Sequence, residues 1–190
     1  MKKKLILALI TAGLLACFAL YFPANKTTTT LIIPYEDPLF ITNTDLLELR
    51  YNEYQYINNE KDTNNEDNTY TVKITFLPHE DDSLKPDSSI YAEIYKMADE
   101  NSARKLFDLT KTYSSKINTR ETLITDNYLK IAENNFLATY HTFEGHKAYI
   151  SIIYKNYRIG VAVDSIDDKE KTIQQAGKLA NMLMAKVKNL

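Results

Sequence analysis

Residues 136–164 read FLATYHTFEGHKAYISIIYKNYRIGVAVD, and this stretch decides the fold of the chain. Apolar and polar side chains alternate through it in three runs, which is the pattern of half-buried β-strands. Pairs of turn-forming residues separate the runs, as they do in β-hairpins. The pattern therefore predicts an antiparallel meander of three strands, at Phe136–Phe143, His146–Tyr154 and Tyr157–Asp164.

The expected turns at Glu144–Gly145 and Lys155–Asn156 set the register of this meander, with Phe143 opposite His146. One face is then apolar enough to be a core face: Leu137, Thr139, His141, Phe143, Ala148, Ile150, Ile152, Ile159, Val161 and Val163. The other face is half apolar: Phe136, Ala138, Tyr140, Thr142, Tyr149, Ser151, Ile153, Arg158, Gly160 and Ala162. We therefore expect other elements to cover both faces.

Two further stretches have the apolar spacing of amphipathic helices. The C-terminal one begins near Asp167, and its continuous stripe should lie on the core face: Ile173, Ala176, Gly177, Ala180, Leu183, Met184 and Val187. The other begins after Asp99, a residue suited to capping a helix. Its apolar stripe consists of Ala103, Leu106, Phe107, Thr110 and Tyr113.

The remaining elements complete a single domain over residues 46–190. Leu46–Ile57, Tyr70–Leu77 and Ser89–Met97 have extended patterns, and the polar residues 58–68 predict a long hairpin loop. The predicted fold class is α+β: an antiparallel sheet with a C-terminal three-strand meander, one helix before it and one long C-terminal helix. With both faces of the sheet covered, the architecture is an α/β/α sandwich.

This order of elements resembles that of the Mog1/PsbP-like exported domains, over Leu46–Leu190. The resemblance implies an α/β/α sandwich that ends in a long helix after a meander. The Tyr-Pro…Trp start common in that group has no equivalent here, since the chain has no Trp. Members of the group differ in role, so the resemblance implies a fold and no particular activity.

The N-terminus has the pattern of an export signal. Lys2–Lys4 precede an apolar run, Leu5–Phe22, and such lysines stay cytoplasmic while the apolar run enters the bilayer. We therefore expect the domain to be exported and the N-terminus to contact a membrane. Residues 1–22 are the predicted signal peptide or membrane anchor, and residues 23–45 are a tether and an irregular segment before the domain.

Three fates of the apolar segment are open. Leu14–Cys17 (Leu-Leu-Ala-Cys) resembles a bacterial lipobox, which implies that Cys17 becomes a lipidated N-terminus after cleavage. Alternatively, the 18-residue run Leu5–Phe22 would span roughly 27 Å as a helix, close to the hydrocarbon thickness of a membrane, and remain as an uncleaved anchor. The third alternative is a soluble secreted product.

Composition and motifs argue against several function classes. The formal net charge is −2, so no global positive field favours nucleic acid. Because Cys17 is the only cysteine, the domain can form no internal disulfide, no cysteine-based zinc site and no thiol nucleophile. The chain has no Gly-rich phosphate loop, Gly-x-Ser-x-Gly elbow or His-Glu-x-x-His motif. We predict no cofactor and no enzymatic activity.

The histidines, His79, His141 and His146, are the remaining candidates for chemistry. In the expected register, His141 and His146 are diagonal neighbours on one face, about 7–8 Å apart at the backbone. The neighbouring strand offers Val161 and Val163 rather than a third ligand. The sequence therefore predicts no metal site.

A row of small residues crosses the second face of the meander. In the expected register, Ala138, Ser151 and Gly160 lie opposite one another, between aromatic neighbours. Two interpretations are open: the helix after Asp99 packs closely on the row, or the row is a trough for an apolar ligand or a partner chain. The residues of this predicted trough are Phe136, Ala138, Tyr140, Tyr149, Ser151 and Gly160.

These observations favour a non-catalytic, membrane-tethered extracytoplasmic protein that binds an envelope protein partner or supports an envelope assembly. The alternative is a carrier or sensor of a small apolar or aromatic ligand, bound in the trough. A third hypothesis is an enzyme of unrecognised type, which would require a cleft with perturbed titratable groups.

The lipoprotein hypothesis predicts the behaviour of Cys17→Ser. The substitution should abolish fatty-acid labelling and leave a longer, unprocessed chain, because cleavage precedes the lipidated cysteine. The measurement is intact mass together with membrane retention. Equal mass and equal retention of the variant and the wild type would exclude the lipoprotein hypothesis and favour an uncleaved anchor.

Overall fold

The computed structural model describes residues 37–190 apart from residues 50–53, 79–87, 117–121, 131, 133, 143–144 and 166–167. The N-terminal export segment, Cys17 and His79 lie outside the described residues. The described elements are three helices and seven strands: α1 (Asn43–Leu49), β1 (Tyr54–Asn64), β2 (Thr69–Pro78), β3 (Ser88–Lys96), α2 (Glu100–Lys116), β4 (Leu123–Asp126), β5 (Asn134–Thr142), β6 (Gly145–Tyr154), β7 (Tyr157–Ser165) and α3 (Lys169–Lys188).

The seven strands form one antiparallel sheet in the order β1-β2-β3-β7-β6-β5-β4. It consists of two meanders, β1–β3 and β4–β7, joined where β3 pairs with β7. The predicted α+β class is confirmed, as is the predicted C-terminal meander.

Helices lie on both faces of the sheet. The helix α3 packs on the face that carries Ile150, Ile152 and Val161, and together they form the larger core cluster. The helix α2 packs on the opposite face, over β4 to β7. The result is the expected α/β/α sandwich, and in the meander each of the two predicted faces is present.

Each of the two long helices is capped by an aspartate that directly precedes its first residue, Asp99 for α2 and Asp168 for α3. The Asp99 carboxylate accepts a hydrogen bond of 2.7 Å from the backbone N–H of Ser102, and this bond holds the pKa of Asp99 below its usual value. The Asp168 carboxylate accepts the N–H groups of Glu170 and Lys171 at 2.8 and 3.1 Å. Each cap satisfies donors that the first helical turn leaves unpaired.

The start of the domain differs from the prediction. Residues 43–49 form a helix rather than an extended segment, because Thr42 and Asp45 make a reciprocal capping pair. The Asp45 carboxylate accepts a hydrogen bond from the Thr42 N–H at 2.7 Å. The Thr42 hydroxyl accepts one from the Asp45 N–H at 3.3 Å. Upstream, Leu39 and Ile41 are buried in the core. The domain therefore begins before residue 46, and residues 37–45 belong to it.

Two side chains on β1 tie this segment to the sheet: Lys61, whose ammonium pairs with the Asp37 carboxylate, and Asn59. The Asn59 amide accepts the N–H of Ile41 at 3.1 Å and donates to the carbonyl of the same residue at 2.9 Å. A second connection joins Asp45 of α1 to Lys186 of α3, 3.2 Å apart. The bonds from β1 fix the backbone before α1, which the sequence pattern assigned to an irregular segment.

The long loop predicted over residues 58–68 is also wrong. The strand β1 continues to Asn64 and pairs with β2 up to Asn64↔Thr69, so the connection is residues 65–68. The polar residues of this stretch lie on an edge strand, where their side chains reach solvent and the main chain still pairs. The polar composition of residues 58–64 therefore reflects an exposed edge strand rather than a loop.

The register of the β5–β6 hairpin differs by two residues from the expected one. Thr142 pairs with Gly145, and His141 pairs directly with His146. Gly145 has φ 129°, a backbone conformation that other residues rarely adopt, and it begins β6 rather than closing the turn. A shift of two residues leaves every side chain on its predicted face, so only the cross-strand partners change. The β6–β7 register, with Ser151 opposite Gly160, is as predicted.

Among the residues that the structure describes, no helix has both the length and the apolar character needed to cross a membrane.

The packing of α3 predicts the effect of a charge at Ala180. The side chain has no exposed surface and lies in the larger core cluster, so Ala180→Asp places a carboxylate in an apolar environment. Isolated buried charges cost several kcal/mol, a large part of the roughly 5–15 kcal/mol that stabilises a typical domain. We expect thermal melts of the full chain in detergent to show a large loss of stability.

Lys178→Asp is the matched control on the same helix. Lys178 is exposed, and substitutions at such positions usually change stability by no more than about 0.5 kcal/mol. If the two variants melt at the same temperature, α3 does not pack by this stripe.

Candidate functional site

The predicted trough is filled by protein. Phe136, Ala138, Tyr140, Ser151 and Gly160 are buried. The first three belong to a second core cluster, together with Ala103 and Phe107 of α2. The Phe107 ring of α2 packs edge-on against Phe136, with ring centroids 5.3 Å apart. Close packing by the helix is therefore the correct interpretation, and the ligand trough is wrong.

The row itself also differs from the prediction. Because of the shifted β5–β6 register, Phe136 rather than Ala138 lies opposite Ser151, and Ala138 lies opposite Tyr149. The row continues from Gly160 to Glu93 on β3. The small residues thus lead to a charged side chain in the centre of the sheet, and this is where the candidate site lies.

Gly160 leaves the space that the polar groups of the site occupy. A Cβ atom at this position would lie 2.9 Å from the Tyr149 hydroxyl, 3.0 Å from Glu93 Oε1 and 3.1 Å from Arg158 Nη2. Such distances are shorter than van der Waals contact. The missing side chain therefore allows groups from three strands, β3, β6 and β7, to converge above one backbone position.

The centre of the site is an ion pair between Arg158 of β7 and Glu93 of β3. Arg158 Nη1 donates to Glu93 Oε1, and the two side chains are only 4% and 16% exposed. The rest of the guanidinium is also used: Nη2 donates to the Tyr149 hydroxyl, and Nε lies 3.4 Å from the Ser151 hydroxyl. An arginine so buried requires this full set of acceptors, because an unpaired guanidinium in an apolar interior is strongly unfavourable.

Two more tyrosines complete the arrangement on the Glu93 side. Tyr95 donates to Glu93 Oε2 at 3.0 Å, and Tyr91 donates to the same oxygen at 3.4 Å. The Arg158 guanidinium carbon lies 5.3 Å from the Tyr95 ring centroid and 5.8 Å from that of Tyr149, within the range of cation–π attraction. We refer to Glu93, Arg158, Tyr91, Tyr95 and Tyr149 as the Arg–Glu–Tyr cluster.

Burial and the Glu93 charge together hold the tyrosines in their protonated form. Burial is the larger cause, and the negative carboxylate adds to it, raising the pKa of Tyr91 to about 12. The same two causes raise the pKa of Tyr95 further. Both hydroxyls therefore remain hydrogen-bond donors to Glu93 throughout the physiological pH range, with fixed direction.

The cluster lies at the border between a covered and an open part of the sheet. The helix α2 covers β4 to β7, and no described helix lies over the same face of β1 to β3. This open face carries polar and aromatic side chains that are exposed or half-buried: Asn58, Glu60, Asp62, Thr71, Lys73, Thr75, Tyr91, Glu93 and Tyr95. Tyr91 is 36% exposed and so belongs to both the cluster and the open face.

This arrangement presents groups that are suited to non-covalent contacts. It offers oriented hydroxyls and ring faces held by a neutralised ion pair, and these groups bind by hydrogen bonding and stacking. On the open face, Lys73 lies 3.6 Å from Asp62, and Glu60 accepts a hydrogen bond from the Asn58 amide at 2.9 Å. A molecule that lies on this face therefore meets a surface that is polar but nearly neutral.

Sequence reasoning found some members of the cluster and missed its centre. Tyr149, Ser151 and Gly160 were predicted site residues, and they do lie together. Glu93, Tyr91 and Tyr95 were not predicted as site residues, because no pattern in the sequence indicates that β3 pairs with β7. One signal was available: Arg158 stands on a face that is otherwise apolar or small, and a buried arginine needs an acid from another element.

The other candidate residues lie apart from the cluster. Cys17, the lipidation candidate, lies outside the described residues. His141 and His146 lie at the far end of the β5–β6 hairpin, on the α3 side of the sheet.

The chain matches no family model and no curated protein. Among solved structures it is similar to the crystal structure of the extracellular domain of PknH from Mycobacterium tuberculosis, at 9% sequence identity and a TM-score of 0.48. The match covers 77% of this chain and 93% of that one. A likeness at this level carries no inference about function, and the Mog1/PsbP-like resemblance stays a prediction.

The buried ion pair predicts the effect of Glu93→Gln. The substitution keeps the shape of the side chain but leaves the Arg158 guanidinium buried without its counter-charge. Breaking a buried pair in this way destabilises a protein by about 3–5 kcal/mol. Denaturant unfolding of the full chain measures the change.

Asp62→Asn is the control for this change, since it makes the same acid-to-amide substitution on the same face. Asp62 and its partner Lys73 are 38% and 43% exposed, and exposed pairs contribute at most about 1 kcal/mol. Equal destabilisation by the two substitutions would show that the Arg158–Glu93 pair is not the buried centre of the site.

Proposed function

We propose that this chain is a non-catalytic, membrane-tethered protein whose domain lies on the extracytoplasmic side and binds a protein partner of the cell envelope through the open face of β1 to β3. The basic lysines and the apolar run of the N-terminus support the export and the tether. The Arg–Glu–Tyr cluster supports the binding surface, and it is the observation that carries the proposal.

The cluster suits binding because its groups are already ordered. Glu93 fixes the hydroxyls of Tyr91 and Tyr95, so these side chains have little conformational freedom left to lose when a partner binds. Ordering a free side chain at an interface costs about 0.5–1.5 kcal/mol. Rigid tyrosines supply a large amphipathic contact area at low entropic cost, which is why they are enriched at protein interfaces.

A protein is a better partner for this face than a small molecule. Small ligands bind in concave sites that enclose most of their surface, whereas the open face is a row of side chains across three strands. Its acids and bases are largely paired with each other, as in Lys73–Asp62 and Arg158–Glu93. A polar, nearly neutral protein surface complements it better than a highly charged partner.

The carrier hypothesis is not retained. It placed an apolar ligand in the trough, and Ala103 and Phe107 of α2 occupy that space together with Phe136.

Site-specific photo-crosslinking in the native membrane tests the proposal. A photoreactive residue replaces Tyr91 on the open face in one strain and Tyr113 in another; Tyr113 is an exposed tyrosine on α2, 57% accessible. We expect a discrete protein adduct from position 91 and none from position 113. The adduct should disappear when Thr75→Arg, a bulky cation on the open face, is added.

Equal labelling from both positions, or an adduct that Thr75→Arg leaves unchanged, would contradict binding through the open face. No adduct from position 91 under any growth condition would contradict the proposed function.

A further inference from the structure

The two histidines at the end of the β5–β6 hairpin form a direct cross-strand pair. His141 and His146 are partners in the register, their ring centroids are 4.8 Å apart, and the two Nδ1 atoms are 3.3 Å apart. The expected diagonal arrangement at about 7–8 Å is therefore wrong. The observed pair places two imidazole nitrogens within reach of one small ion.

The separation of the nitrogens matches the bite of a tetrahedral metal centre. Zinc–imidazole bonds are about 2.0–2.1 Å long. Two such bonds that end on atoms 3.3 Å apart enclose an angle of about 107° at the metal, close to the tetrahedral value. We infer that His141 and His146 bind a divalent transition-metal ion of the zinc type through their Nδ1 atoms.

The chemistry of imidazole permits this coordination. A neutral histidine with its proton on Nε2 presents Nδ1 as a free ligand. Without a metal, the Nδ1···Nδ1 hydrogen bond requires a proton on one of the two nitrogens. When a metal binds, this proton moves to Nε2 of the same ring or is released to solvent. Both Nε2–H groups can then donate to water.

Solvent completes the metal's coordination shell. Among the described residues, no group of three or more histidines, cysteines and carboxylates lies close enough to bind one ion. The pair itself is accessible, since His141 is exposed and His146 is half-buried. With two protein ligands, the metal keeps open coordination positions. Catalytic and exchangeable metal sites share this property, whereas structural sites are closed.

The fold does not depend on this pair, and the pair can therefore be tested by substitution. Each imidazole lies at the rim of the sheet, outside both core clusters. Substitution of either one by alanine removes a ligand and leaves the buried parts of β5 and β6 intact.

Titration of the metal-stripped full chain in detergent with Zn²⁺, followed by calorimetry, measures the site. We expect the wild type to bind one Zn²⁺ ion, and His141→Ala and His146→Ala each to bind it at least about 100-fold more weakly. Two linked ligands raise the affinity over that of either ligand alone by such a factor. Because the two ligands act as a unit, the double variant should lose little more than either single variant.

His79→Ala is the matched control, as it removes the chain's other histidine; its zinc binding should equal that of the wild type. Binding at other groups, such as the Cys17 thiol, is common to all of these proteins and cancels in the comparison. Far-ultraviolet circular dichroism confirms that each variant is folded. Unchanged zinc affinity in His141→Ala or His146→Ala, or an equal loss in His79→Ala, would overturn the inference.

Discussion

The pairing of β3 with β7 is the interaction on which the rest of the structure depends. It joins the β1–β3 meander to the β4–β7 meander in the middle of a seven-stranded sheet. On the α3 side, the paired residues are apolar and fully buried, as in Ala92↔Val161 and Ile94↔Ile159. On the other side, the same register sets Glu93 opposite Gly160, one diagonal step from Arg158. The register that builds the core therefore also builds the Arg–Glu–Tyr cluster.

The buried ion pair makes this register more specific than hydrophobic packing alone would make it. A buried pair adds little net stability relative to apolar side chains of similar size, because desolvation offsets the attraction. A slip of one residue, however, would turn Glu93 toward the apolar core and separate it from Arg158. Since an unpaired buried charge is strongly unfavourable, alternative registers are penalised more heavily than the native one is stabilised.

The two faces of the sheet consequently have different roles. The α3 face is apolar throughout its central strands, and the helix closes it. The opposite face is divided: α2 closes the part over β4 to β7, and the part over β1 to β3 keeps its polar side chains accessible. The Arg–Glu–Tyr cluster lies at the boundary, where side chains are buried enough to be ordered and exposed enough to be contacted. The segment before α1, held to β1 by Asn59, connects this domain to the residues that precede it.

The sequence by itself determined the elements whose signals are local. Alternation and turn residues gave the C-terminal meander, apolar spacing gave α2 and α3, and Asp99 was recognised as a cap from its own neighbourhood. Local signals failed in two places: the capping pair Thr42–Asp45 was overlooked in favour of an extended pattern, and the polar edge strand β1 resembled a loop. The faces of the meander were predicted correctly even though the β5–β6 register was not, because a shift of two residues preserves alternation.

Only the tertiary structure decided which distant residues meet. Glu93 and Arg158 are 65 positions apart, and no periodicity links them; their contact exists because β3 was placed beside β7. The same is true of the trough, which α2 fills, and of the histidine pair, whose direct contact follows from a register that alternation cannot distinguish from its neighbours. Local spacing specifies which side chains share a face, since that depends on backbone geometry within one element. Which side chains touch across elements depends on how all the elements pack at once.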